Sequence, residues 1–296
     1  MLKRNFLKHV TIQKKFIALF FLLFIGVIFF TAFTEKQASS SLTKSFCLEK
    51  IKEFQSQLDT LQKDIDAKKD KSILINRFKD TRYAFKRFEF LMEYVDNARY
   101  PFFNGANAIE MDDGAFNPEA KPEGLQVIES ELYQDSLDYI RLTQLVTQLK
   151  YRTLAFYSIL RNVNLRDTYI FEAMRFNLIR IEALSLVSFD SPDMRNNVAE
   201  INVSLHTLLT VIHFYKEDKN AALIHKTETL IKASISYLKP YSFSTLDRLI
   251  FIKKNLQPIT AELLQLQQNL SIPFLFDNEK AFRAVNLNVA NIYDSN

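Results

Sequence analysis

Residues 51–65 read Ile51-Lys52-Glu53-Phe54-Gln55-Ser56-Gln57-Leu58-Asp59-Thr60-Leu61-Gln62-Lys63-Asp64-Ile65. Apolar side chains recur there at steps of +3, +4, +3 and +4, which puts Ile51, Phe54, Leu58, Leu61 and Ile65 on one side of a 3.6-residue helix. That stripe predicts a packed helix over about 42–69. Next along the chain, Phe78, Phe85, Phe88, Met92 and Val95 continue the same spacing. They predict a second helix over about 72–99, antiparallel to the first and ended by Pro101. From Leu125 to Leu165 there is no Gly or Pro, and Gln134-Asp135-Ser136 divides a short helix from a long one ending near Arg161. Further helices are expected at about 166–187, 194–216, 218–239 and 244–270. Ser191-Pro192 and Ser244-Thr245 are helix-start signals, with Asp193 and Asp247 at the positive end of the dipole. The fold class expected is an all-α antiparallel bundle, arranged as two four-helix layers.

Composition agrees. Gly numbers 4 and Pro 7 in 296 residues, too few turn residues for a sandwich or barrel of tight hairpins. Phe 27 and Tyr 12, with 48% hydrophobic residues, exclude a disordered chain. One cysteine excludes a disulfide framework, a four-cysteine zinc site and covalently attached c-type haem. Cys47 itself is expected as a half-buried thiol on the first helix. No Walker sequence, Gly-x-Ser-x-Gly, His-Glu-x-x-His or Cys-x-x-Cys-His occurs, so no catalytic motif is visible.

The net charge of +4 is local. Lys3, Arg4, Lys8, Lys14 and Lys15 fall in the first fifteen residues with no acid, and taking these five from 38 leaves 33 basic residues against 34 acidic. A near-neutral remainder gives no nucleic-acid face. Residues 1–15 form a basic n-region, and 16–34 begin with eighteen uncharged residues, FIALFFLLFIGVIFFTAF. As a helix at about 1.5 Å per residue these nearly span a hydrocarbon core of about 30 Å. The preceding cations place the N-terminus in the cytoplasm and residues 35–296 in the periplasm. The segment reads as an inner-membrane anchor or as a signal cleaved near Ala38-Ser39-Ser40; both export the remainder.

Residues 101–124 hold three of the four glycines, three of the seven prolines, and five acids against Lys121 alone. They predict a long acidic loop. Arg82, Lys86, Glu89 and Glu93 repeat at +4, +3, +4 with Arg87 adjacent. Their stripe is either an interior ion-pair network of Arg82, Lys86, Arg87 and Glu89 or a solvated face. Gln126 and Glu129, three apart, lie side by side at a helix start. They suit a structural helix entry, with a pair of oxygen ligands as the alternative. His206, His213 and His225 are a further ligand possibility set against a core or surface role.

Four segments resemble a known family. Thr81-Arg82-Tyr83-Ala84-Phe85-Lys86-Arg87-Phe88-Glu89-Phe90-Leu91-Met92-Glu93-Tyr94, Pro122-Glu123-Gly124-Leu125-Gln126-Val127-Ile128-Glu129, Phe189-Asp190-Ser191-Pro192 and Leu246-Asp247-Arg248-Leu249-Ile250-Phe251-Ile252 are similar to the helical N-terminal region of exported di-haem cytochrome c peroxidase-like proteins. The likeness runs over roughly 45–275 in matching order. It implies a binding or scaffold module for a haem peroxidase or cytochrome c. The family's haem-bearing part would begin where this sequence ends, so haem is implied only for a partner or a missing domain and no cofactor or catalytic residue for this chain. The interface expected from this is the acidic loop and the aromatic helix 78–95. A fainter resemblance joins Gly124-Leu125-Gln126-Val127-Ile128-Glu129 to the Gly-x-His-x-x-Glu motif of imelysin-like proteins, exported helical proteins linked to iron uptake, with Gln126 in place of the His. It implies an imelysin-like bundle and, as the alternative function, iron binding through Glu129, Glu89, Glu93 and Gln126.

Overall fold

A computed structural model describes residues 38–107, 111–112, 115–116 and 122–275. The expected basic n-region and apolar segment, 1–34, lie outside the described residues. Among those described, no helix is long and apolar enough to cross a membrane.

The fold is an all-α bundle. Its helices are α1 (Ser39–Asp66), α2 (Lys71–Lys86), α3 (Glu89–Val95), α4 (Pro101–Asn104), α5 (Leu125–Tyr133), α6 (Tyr139–Asn162), α7 (Asp167–Arg180), α8 (Asn197–His213), α9 (Ala221–Leu238), α10 (Arg248–Phe251) and α11 (Gln257–Asn269). α1 packs against α2 and α6, and α5 closes that group. α7, α8, α9 and α11 form a second group, joined to the first where α2 meets α8 and α3 meets α7. The five apolar residues of 51–65 are all buried, as are Phe78, Phe85, Phe88 and Met92. Burying each such side chain contributes about 1.5–3 kcal/mol. Cys47 is fully buried rather than half-buried, and burial pushes its thiol pKa up.

Two stretches depart from expectation. The second helix is not continuous over 72–99. It ends at Lys86, the Phe88 N–H donates to the Phe85 carbonyl at 3.1 Å, and α3 restarts at Glu89. Neither Gly nor Pro marks the break. Its cause is tertiary: the Phe88 ring is seated 5.5 Å from Phe54, 5.3 Å from Phe85 and 6.2 Å from Phe156, so aromatic packing overrides local helix preference. Pro101 starts α4 instead of ending a helix, since its fixed φ and missing N–H suit the first turn. The acidic loop therefore begins with one helical turn and then forms a short antiparallel pair, Met111–Asp112 with Ala115–Phe116. Glu110, Asp113, Glu119 and Lys121 of that loop lie outside the described residues.

α7 and α10 each run on into a π-helical turn, Ile181–Ser185 and Ile252–Leu256. The second precedes Pro258, which has no N–H to return to the preceding turn; this accounts for the widened spacing. α8 begins at Asn197, later than Ser191-Pro192 suggests, because residues 191–194 are engaged elsewhere. Asp247 does cap α10, accepting the Ile250 N–H at 2.9 Å.

Candidate functional site: a buried charge network between the two helix groups

The stripe on the second helix faces inward. Arg82, 0% exposed, bonds Glu200 of α8 through Nε at 2.5 Å and Nη2 at 2.9 Å, and its Nη2 also donates to the Asp190 carbonyl at 2.7 Å. Its Nη1 lies 3.4 Å from Glu129 of α5. One turn on, Lys86 Nζ reaches both Glu89 oxygens at 3.0 and 2.8 Å and Asp190 at 3.1 Å. Arg180, the last residue of α7, clasps Asp190 and lies 3.2 Å from Glu89 and 2.8 Å from Glu93. The break after Lys86 makes the Lys86–Glu89 contact three residues apart across a turn and aims α3 at α7.

Neutral groups complete the network. The Tyr100 hydroxyl donates to Glu89 at 2.9 Å and accepts from Arg180. Asn104 donates to Asp190 at 3.2 Å, and Ser185, in the π turn after α7, donates to Asp190 at 2.7 Å. Gln126 donates to the Asn104 carbonyl at 3.0 Å. Glu129 accepts from the Ser191 hydroxyl at 3.0 Å and from the backbone N–H groups of Asp193 and Met194 at 2.9 Å each. Those last two bonds are why residues 191–194 form a turn around Glu129.

Gly124 makes this entry possible. Its φ is +97°, and a Cβ there would meet the Phe103 carbonyl oxygen at 2.7 Å. Any other residue would be strained by the backbone angle and blocked by the approaching chain. α5 can thus start directly under α4, carrying Gln126 and Glu129 inward.

Three cations, Arg82, Lys86 and Arg180, face five carboxylates, Glu89, Glu93, Glu129, Asp190 and Glu200. Full ionisation would leave two uncompensated negative charges in a desolvated centre. Burial pushes the Glu93 carboxyl up to about 8, against the pull of Arg180, which favours its protonated form. Burial also raises Glu129, more than Arg82 and its hydrogen bonds lower it. Burial works against ionised Asp190 and Glu200 too, but Lys86 and Arg180 at the former and Arg82 at the latter prevail and lower both. The centre therefore sorts its acids into firmly ionised and readily protonated members.

Of the residues expected at this place, Arg82, Lys86, Glu89, Glu93, Glu129 and Gln126 come together. Arg87 does not: it stands half-exposed and pairs with Glu53 at 3.2 Å, because a residue next to Lys86 is turned about 100° around the helix. Each carboxylate expected as a metal ligand already meets a cation of the fold. Among the described residues no group of three His, Cys, Asp or Glu is placed to hold a metal. His206, His213 and His225 are exposed, with His213 at 2.9 Å from Glu228. Arg180, Asp190 and Glu200 were not expected. Asp190 lies in the Phe189–Pro192 stretch, which the resemblance marked, but no periodicity assigns it a partner. The aromatic residues of 78–95 are largely interior, with Phe78, Phe85, Phe88 and Phe90 buried, and so do not form the exposed interface expected of them.

No family model matches the chain, and no curated protein is similar to it.

Proposed function

We propose that the chain is a helical binding module of the imelysin-like kind, tethered to the periplasmic face of the inner membrane by residues 16–34, that docks with a haem peroxidase or cytochrome c and performs no chemistry itself. The observation that carries this reading is the engagement of its charged residues: each acid and base of the interior stripe is bonded to another part of the fold, which suits holding a surface rigid. The surface on offer is the outward side of α6, where Ile140, Tyr151 and Leu154 are 74%, 70% and 53% exposed. Steps of eleven and three residues bring them to one face.

Full-length chain used as bait on envelope extract should recover a haem-staining polypeptide, and the pair Ile140→Glu, Tyr151→Glu should lose it. Recovery of no cytochrome by the wild type would count against the reading.

One observation favours a second function. Carboxylates exceed cations in the buried centre, and an interior with surplus negative charge attracts a cation. On this reading the protein is an imelysin-like metal-binding protein using Glu129, Glu89 and Glu93 with Gln126, and the competing cation is the proton carried by Glu93.

A further inference from the structure

A cleft of about 530 Å³ lies between α2, the start of α8 and the residues that follow α9, within the usual size range of small-ligand pockets. It is separate from the charge network and is not used by the docking proposed above. Its lining contains two cations, Arg195 and Lys239, and no acid. Among the described residues neither side chain has an ion pair or hydrogen bond. Both are exposed to solvent at the cleft.

The walls are ordered. Tyr83 is held by Asn196, whose Nδ2 donates to the tyrosine oxygen at 2.9 Å. On the other side Tyr241 packs 5.1 Å from Tyr237, itself stacked 5.8 Å from the buried Phe251. Phe243 is backed by Arg248, 4.5 Å from its ring. Arg195 has φ +53°, a left-handed angle that disfavours residues with a Cβ, and such strain persists where surrounding structure imposes it. The cleft thus offers aromatic sides and an unneutralised guanidinium and ammonium at its rim. A planar carboxylate matches the guanidinium fork, and a ring attached to it would lie between the tyrosines.

We propose that this cleft binds a small aromatic carboxylate, with Arg195 and Lys239 holding the carboxylate and Tyr83, Tyr241 and Phe243 flanking the ring. The test uses the full chain in nonionic detergent, titrated calorimetrically with 4-hydroxybenzoate, with benzyl alcohol as the uncharged ring and inorganic phosphate as the ringless anion. Saturable binding of 4-hydroxybenzoate is expected, with the other two at least about tenfold weaker, a difference of about 1.4 kcal/mol. Arg195→Gln and Lys239→Gln, both surface changes that leave the circular dichroism spectrum unaltered, should each weaken binding about two- to fivefold, the range of solvated ion pairs. Absence of saturable heat would overturn the proposal. So would equal binding of benzyl alcohol or phosphate, or wild-type affinity in the double variant.

Discussion

Arg82→Met is the perturbation whose outcome depends most on the geometry above. Methionine keeps much of the volume and the apolar stem of the arginine but removes both bonds to Glu200, the bond to the Asp190 carbonyl and the 3.4 Å contact with Glu129. Glu200, 1% exposed, would lose the neighbour that most offsets its burial, and the interior excess of carboxylates would grow by one charge. Breaking a buried pair from one side costs about 3–5 kcal/mol, against a total stability of about 5–15 kcal/mol for a domain. The melting midpoint should fall by roughly 10 °C, at about 2–4 °C per kcal/mol for a chain of this size. Because the fold lowers the Glu200 carboxyl from its ordinary value of 4.5, its ionised form contributes stability above that pH and the contribution fades on acidification. The deficit of the variant is therefore largest near neutral pH and shrinks toward pH 4. Urea unfolding followed by circular dichroism at several pH values measures both. The double variant Arg82→Met, Glu200→Gln should recover part of the loss, since it removes the stranded charge. A cost below about 1 kcal/mol at neutral pH, the size of a surface pair, or a cost independent of pH, would refute the interior assignment.

Glu93→Gln should act in the opposite sense. Its carboxyl is raised to about 8, so the contribution of the protonated form is present below the ordinary carboxylate range and is lost as pH rises through the raised value; the variant should match wild type near pH 4 and become the more stable by pH 9, as chemical denaturation across that span would measure. Gly124→Ala should destabilise by about 2 kcal/mol or more, from the positive φ and the carbonyl 2.7 Å from the new methyl, read as a lower melting midpoint. Arg87→Ala, by contrast, removes only a half-exposed pair with Glu53 and should change stability by no more than about 0.5 kcal/mol in the same assay.

The helices that a periodic apolar stripe announces are the ones the sequence made legible, Ile51 to Ile65 above all. Their ends are less legible. The break after Lys86 is invisible locally because the rings that seat Phe88 include Phe54 and Phe156, thirty-four and sixty-eight positions away. Periodicity likewise put Arg82, Lys86, Glu89 and Glu93 in one line but could not say whether water or protein faced it. The answer rests on Asp190 and Glu200, which are 104 residues from Lys86 and 118 from Arg82. A lone acid in a Ser-Pro turn carries no local mark of such a role. A motif marks Gly124 and Glu129, whereas the need for glycine comes from the passage of α4 over it.

The account turns on the interior acids being satisfied by the cations of the fold and by a proton. Elemental analysis of the purified full chain, before and after incubation with iron and zinc salts and dialysis, tests this most directly when combined with the melting midpoint of each sample. The account predicts only substoichiometric metal and an unmoved midpoint. Stoichiometric metal that raises the midpoint, and is absent from Glu129→Gln, would contradict it and leave metal binding as the function.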